Sequence, residues 1–428
     1  MRGRYFRYIF ENLDGGLFHT GSIYDKEKQK IINYIYMVGS GCRSALQTKE
    51  PEICINKEKM PEVTDILIVG SYSARYLNIL IHIVKNYKIG TIILPYLAPI
   101  QRLVLVEEME DCGIAGKDVA KFLQDPFLFL KESGIENIYF LFGNSAPIEK
   151  DPEELDRGVH FERADSESMQ LIYEMEGNVI PVVHAGYMIE NEWIFYFGVY
   201  GLDIQILSNF TREYFSHIEN IHKISENASE DYTSQMKRLI QEFRRKFSNS
   251  PVTTVTMYEG PLHTSPGEND SYMVEKEFNR KERCELWARC QKDSRCTCSI
   301  SCIYGKDHDN IQHHKRGAVK PKFGMLMFGN ANLNRYFYEI MKRYLKVIHQ
   351  IRGIGVPNCG CGADWNHQIL EVFNRKDRMY WICCKHDITS AGVVSDIVLS
   401  ASNNRFLPVA GEWGCCLSGY IIPKDEMD

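Results

Sequence analysis

The chain has 428 residues, of which 44% are hydrophobic, 25% are charged and 12% are aromatic, and its formal net charge is -6. This composition excludes a disordered chain, and the negative net charge excludes a whole-molecule attraction to nucleic acid or to an anionic membrane. The length is sufficient for one large α/β domain with insertions or for two ordinary domains.

The first third of the chain alternates between strand and helix patterns. Short apolar, β-branched runs that end at glycine or proline predict strands at residues 31–38, 64–69, 91–94 and 135–142. Apolar residues at helical spacing predict helices at residues 77–84 and 117–133. Strands separated by helices are typical of an α/β layered fold.

The remainder of the chain changes character twice. An antiparallel pair of strands is predicted at residues 178–183 and 192–200, and a polar, helical pattern follows at 207–250. Residues 260–322 are rich in glycine, charge, cysteine and histidine, so we interpret 207–322 as an insertion. Strand and helix patterns return at 324–328, 334–351, 379–384 and 395–401. The predicted organisation is a first half-domain at 1–206, the insertion, and a second half-domain at 323–428.

The ends of the sequence and its cysteines bear on the cellular compartment. The basic, aromatic N-terminus is followed by no apolar segment of the kind found in signal peptides, and no stretch reaches the length that spans a bilayer. These features predict a cytoplasmic protein. In that reducing compartment the 14 cysteines are expected to be thiols or metal ligands rather than disulfides.

Several short segments in and beside the predicted strands follow one another in a recognisable order. They are residues 15–21 (GGLFHTG), 35–36, 39–40, 65–78, 93–102, 328–333 (FGNANL) and 356–360. Their order resembles the metallo-β-lactamase superfamily, in particular its bacterial competence-type and nuclease-type hydrolases. The resemblance implies an α/β fold, the αββα four-layer sandwich of metallo-β-lactamase type, carrying a Cys/His-rich insertion.

The same resemblance implies a metal site whose ligands this sequence lacks. The positions that correspond to the family's histidines and aspartates are Ser71, Ser73, Arg75, Tyr76, Asn330, Asn358, Cys359 and Gly392. Neutral hydroxyls are poor zinc ligands, and a guanidinium adds positive charge where the dication would lie. His184 is expected in the same pocket as a remaining imidazole, or else as a histidine that only bonds the backbone. The resemblance therefore predicts a pseudoenzyme with no catalytic residues and no catalytic metal.

The predicted insertion contains the densest group of soft metal ligands. They are Cys284, Cys290, Cys296, Cys298, Cys302 and His308. Four such ligands in a tetrahedron bind a structural zinc, so we expect one zinc here; free thiols are the alternative, because the spacing is not that of a repeated CxxC pair.

Three functions are compatible with these features. The first is a catalytically inactive scaffold or sensor in a bacterial multi-component system with protein partners, because relatives with similar loops resemble components of anti-phage defence operons. The second is a zinc-dependent hydrolase or nuclease with atypical Cys, Asn and His184 ligands. The third is a nucleic-acid-binding module in which Arg75 and the basic runs at 237–245 and 315–322 contact phosphate.

Overall fold

The computed structural model describes the chain in fifteen stretches. They are residues 4–13, 16–25, 30–39, 63–111, 116–143, 155–190, 193–215, 230–247, 253–261, 269–279, 324–360, 364–373, 379–384, 405–409 and 413–423.

These stretches contain strands, helices and two short 3-10 turns. The strands are β1 (Arg4–Leu13), β2 (Gly16–Asp25), β3 (Lys30–Val38), β4 (Val63–Ser71), β5 (Lys88–Pro95), β6 (Asn137–Leu141), β7 (Gly158–Arg163), β8 (Val182–Glu190), β9 (Trp193–Tyr200), β10 (Thr254–Pro261), β11 (Asn269–Asn279), β12 (Gly324–Met327), β13 (Ile351–Gly355), β14 (Tyr380–Cys384), β15 (Arg405–Val409) and β16 (Trp413–Pro423). The helices are α1 (Ala74–Asn86), α2 (Pro99–Asp111), α3 (Lys117–Gln124), α4 (Pro126–Glu132), α5 (Ser166–Glu176), α6 (Ile204–Phe215), α7 (Glu230–Phe247), α8 (Leu333–Tyr344) and α9 (Gln368–Phe373).

The described strands all belong to one hydrogen-bonded sheet. Its order is β11-β16-β1-β2-β3-β4-β5-β6-β8-β9-β10-β12-β13-β14-β15, and β7 pairs with β8 outside this path. Two blocks of strands are parallel. The first is β3-β4-β5-β6-β8 and the second is β12-β13-β14-β15. Antiparallel pairs through β9 and β10 join the two blocks.

The sheet curls into a nearly closed barrel. Strand β15 approaches β16 at the open seam, and β10 contacts β4 and β5 across the interior. Successive residues of the parallel strands point to opposite faces, as the period of a strand requires. Tyr34 and Tyr36 of β3 point into the barrel core, whereas Ile35 and Met37 pack against the helices outside. Both faces are apolar because both are covered.

The predicted αββα four-layer sandwich of metallo-β-lactamase type is therefore wrong. That prediction requires two separate sheets, whereas hydrogen bonds run without a break from the first parallel block through β8, β9 and β10 to the second. The mixture of α and β elements is as expected, but local patterns carry no information about which distant strands pair. Strands β10 and β11, which fall within 207–322, belong to the same sheet.

The helices cover the outside of the barrel in two groups. Helices α1 to α7 contribute to one outer core, and α8 and α9 contribute to the other. The predicted helix at 117–133 is interrupted, because the Asp125 side chain accepts a hydrogen bond from the Leu128 amide and Pro126 begins a new helix, α4.

Several local predictions are confirmed. The strands predicted at 31–38, 64–69, 91–94 and 135–142 correspond to β3, β4, β5 and β6, and the helix predicted at 77–84 lies within α1. The strand predicted at 178–183 begins later, at Val182. The helix predicted at 395–401 lies outside the described residues. No helix in the described stretches combines the length and the apolar character needed to cross a membrane.

Candidate functional site

The candidate site lies where the parallel strands of both blocks end. Loops at the carboxyl ends of strands in a parallel sheet form the usual ligand-binding edge of α/β proteins. Here the ends of β3, β4, β12 and β13 meet the start of β10. We call this edge the rim and define it by Gly39, Ser71, Ser73, Tyr76, Thr254, Asn330 and Asn358.

Gly39, directly after β3, is one meeting point of the rim. Its carbonyl oxygen accepts hydrogen bonds from Asn330 Nδ2 at 2.6 Å and from Ser71 Oγ at 3.4 Å. A Cβ atom at this position would lie 2.3 Å from Ser73 Oγ and 2.9 Å from Tyr76 Cβ. Only glycine therefore allows the end of β3 to pack against the first turn of α1.

Thr254 at the start of β10 is a second meeting point. Its hydroxyl donates to the Gly70 carbonyl at 2.9 Å and accepts from the backbone N–H of Asn330 at 3.0 Å. One side chain thus joins the first parallel block to the loop after β12. Nearby, Tyr36 Oη donates to the Val255 carbonyl at 2.9 Å, which joins β3 to β10 in the same region.

The loop after β13 is attached to the loop after β12 by backbone in unusual conformations. Gly329 has a φ of 61°, and Asn358 is the one non-glycine residue with positive φ, 45°, in the described stretches. The backbone N–H of Asn358 donates to the Gly329 carbonyl at 2.8 Å, and the side-chain Nδ2 of Asn358 donates to Asp364 Oδ2 at 2.6 Å. Asparagine tolerates the left-handed region better than most residues, which accounts for its presence here.

The structure brings together most of the sequence-predicted family positions. Ser71, Ser73, Tyr76 and Asn330 surround Gly39, and Asn358 joins them through the backbone of Gly329. Arg75 is the second residue of α1, and Cys359 lies in a 3-10 turn directly after β13, but their side chains are outside the described set. Gly392 lies outside the described residues altogether.

His184 lies next to the end of β6. It is half-buried, its ring stacks on Phe142 with centroids 4.4 Å apart, and its Nε2 is 3.8 Å from Asp165 Oδ2. The Asp165 carboxylate already caps α5 by accepting from the Ser168 amide. Hydrogen bonds from Ser168, and then the nearby His184, hold the pKa of Asp165 below its ordinary value.

No family model matches this chain, and no curated protein or solved structure is found to be similar to it. The functional argument therefore depends on the chemistry of the rim.

The rim donors do not suit the zinc that the sequence resemblance implies. Zinc binds imidazole, thiolate and carboxylate, whereas the described rim side chains are hydroxyls and amides. The nearby carboxylate of Asp364 already accepts a hydrogen bond from Asn358. No group of three or more His, Cys, Asp or Glu residues in the described stretches could hold a metal. The predicted zinc cluster, Cys284, Cys290, Cys296, Cys298, Cys302 and His308, lies outside the described residues.

A buried polar pair inside the barrel was not predicted from the sequence. His19 Nε2 of β2 lies 2.6 Å from Glu259 Oε1 of β10, and both side chains are fully buried. The His19 ring stacks on Phe10 at 4.4 Å and meets Tyr34 edge-on at 5.6 Å. Glu259 Oε2 has no hydrogen-bond partner in the described part of the chain. The pair connects strands 240 residues apart in sequence, so no local pattern could reveal it.

A second buried polar group lies between the barrel and its helices. Arg102 of α2 pairs with Glu176 of α5 at 2.6 Å, and Tyr96 Oη donates to the other carboxylate oxygen at 2.8 Å. Burial, and then the negative charge of Glu176, raises the pKa of Tyr96, which therefore stays a hydrogen-bond donor at neutral pH. The adjoining cavity of about 10 Å³ has room for roughly one water molecule, so this group is structural in character.

Proposed function

We propose that this chain is a catalytically inactive binding protein, a scaffold or sensor component of a cytoplasmic multi-protein assembly. One observation carries the proposal. At the rim, Ser71 and Asn330 donate to the carbonyl oxygen of Gly39, and Thr254 donates to that of Gly70. These polar groups connect strand ends, and their neutral chemistry supports a structural role rather than activation of a metal-bound water. Membership of a bacterial anti-phage defence system stays a prediction from the sequence resemblance, as does a structural zinc.

The nucleic-acid-binding alternative is less well supported. In the basic run at 237–245 and just beyond it, Arg244 pairs with Glu107 and Glu108, and Arg245 pairs with Glu242. Lys246 pairs with Glu213. Cations that are already neutralised by carboxylates release few counterions on phosphate binding, so the contribution of these residues to affinity is small, whereas Lys237 and Arg238 of the same run are exposed. The second run, 315–322, lies outside the described residues.

A hydrolysis assay tests the proposal against the zinc-hydrolase alternative. The purified full chain would be incubated with an activated phosphodiester and with a chromogenic β-lactam, each with added zinc and with a chelator. We expect equal, background rates in both conditions because the rim offers no set of metal ligands. Zinc-dependent cleavage that is lost in a His184→Ala variant would instead establish the enzyme with atypical ligands.

A further inference from the structure

Helix α8 packs one face firmly against the barrel. Its buried side chains are Leu333, Tyr336, Phe337, Ile340, Arg343 and Tyr344. Asn332 caps the helix by accepting a hydrogen bond from the Arg335 amide at 3.0 Å. The helix is thus a fixed element of the fold, and whatever its opposite face presents is held in a rigid arrangement.

The opposite face presents an apolar strip. Tyr338 is 72% exposed and Leu345, directly after the last helical turn, is 63% exposed. Leu345 keeps helical dihedral angles, so the two side chains lie two turns apart on one face, about 10 Å along the helix. Met341 lies between them at helical spacing, but it is partly buried and packs against the core beneath the helix. Single exposed apolar residues are ordinary, but two exposed residues and a partly exposed one in register on a rigid helix form a contact surface of the kind that docks another helix. We call Tyr338, Met341 and Leu345 the α8 strip.

The charges beside the α8 strip are mainly positive. Arg335 and Lys342 are exposed and Lys346 is partly exposed, whereas Glu339 is the acidic residue among them. The helical spacing puts all four on the same side of the strip. The whole chain has a formal net charge of -6, so this positive edge contrasts with the average surface.

We propose that the α8 strip docks an acidic amphipathic helix of a partner protein; this names a partner surface for the binding role proposed above. The apolar side chains of that helix would contact Tyr338, Met341 and Leu345, and its carboxylates would lie beside Arg335, Lys342 and Lys346. A second copy of the chain fits less well. An antiparallel pair of α8 helices centred on the strip brings the charged side of one copy against the same side of the other, and each carries three cations to one carboxylate, so like net charges meet.

A peptide titration tests this surface with no metal or substrate present. Absence of peptide binding would therefore leave the proposal for the rim unaffected. The probe is a synthetic helical peptide of about 21 residues with leucines every three or four positions and glutamates elsewhere. A matched peptide carries lysine in place of every glutamate. Fluorescence anisotropy would measure the affinity of each peptide for the full chain and for a Tyr338→Ser, Leu345→Ser double variant. Val179→Ser, at a residue 70% exposed outside the strip, is the control.

We expect the acidic peptide to bind the unmodified chain and the Val179→Ser variant equally. The double variant should bind it at least about tenfold more weakly, and added salt should weaken binding because the flanking charges contribute. The lysine peptide should not bind. No binding of the acidic peptide, equal binding of both peptides, or full affinity in the double variant would overturn the proposal. So would a dimer of the unmodified chain that the double variant converts to a monomer, because the strip would then hold a second copy.

Discussion

Replacing His19 with leucine should lower the free energy of unfolding by about 1–3 kcal/mol, because the buried Glu259 carboxyl group then loses its hydrogen-bond partner. Both side chains are fully buried in the barrel, and the second oxygen of Glu259 already has no partner in the described residues. Urea unfolding followed by circular dichroism would measure the change.

The matching double variant, His19→Leu with Glu259→Leu, supplies the control. Replacing both members of a buried polar pair by apolar residues of similar volume is often nearly neutral, so the double variant should recover most of the lost stability. If the double variant instead loses as much as the two single changes added together, the pair does not act as a unit and this account of the barrel interior is wrong.

The second large effect is expected at Glu176, whose replacement by glutamine should cost about 3–5 kcal/mol of unfolding free energy. The isosteric amide keeps an acceptor for Tyr96, but it leaves the guanidinium of Arg102 buried, charged and without a counter-charge. Arginine stays protonated in proteins, so this side chain has no neutral form that would relieve the cost.

Glu174→Gln, two residues earlier on the same helix, is the matched control. Glu174 also pairs with an arginine, Arg212 at 3.4 Å, but both side chains are largely exposed. Such surface pairs contribute about 0–1 kcal/mol, so the control should unfold almost like the unmodified chain. If chemical denaturation shows equal losses of unfolding free energy for the two changes, burial does not make the Arg102–Glu176 pair contribute more than the exposed pair.

The local elements of this fold could be predicted from the sequence, and their assembly could not. Strands β3 and β4 are apolar on both faces, so they stand out from their surroundings in a single sequence. Strand β10 does not, because Thr254, Thr256 and Glu259 give it a polar composition although all three are buried. These buried polar side chains form hydrogen bonds with residues far away in sequence, among them Gly70 and His19.

Several residues of the rim were named from the sequence, but the role that the structure gives them was not. The resemblance named Ser71, Ser73, Tyr76 and Asn330, and these residues do meet around Gly39. It could not indicate that Asn330 and Ser71 donate to the Gly39 carbonyl, because that depends on how the end of β3 lies against the end of β4 and the loop after β12. Thr254 belongs to no sequence motif, because its hydrogen bonds to Gly70 and Asn330 form only when β10 lies beside β4 and β12.

The most direct measurement of the central claim compares Asn330→Asp with Asn332→Asp for unfolding free energy, each with and without zinc. Asn330→Asp supplies a carboxylate of the kind that metal sites use, but it removes the donor to the Gly39 carbonyl and puts negative charge beside that oxygen. Asn332 accepts from the Arg335 amide as a helix cap, where aspartate serves equally well. If the rim is a structural connection, Asn330→Asp lowers the free energy of unfolding by about 1–3 kcal/mol, Asn332→Asp changes it little, and zinc shifts both variants and the unmodified chain by the same amount. Stabilisation of Asn330→Asp by zinc beyond that of the other two proteins would contradict the account, since it would mean that the rim is a metal centre lacking one ligand.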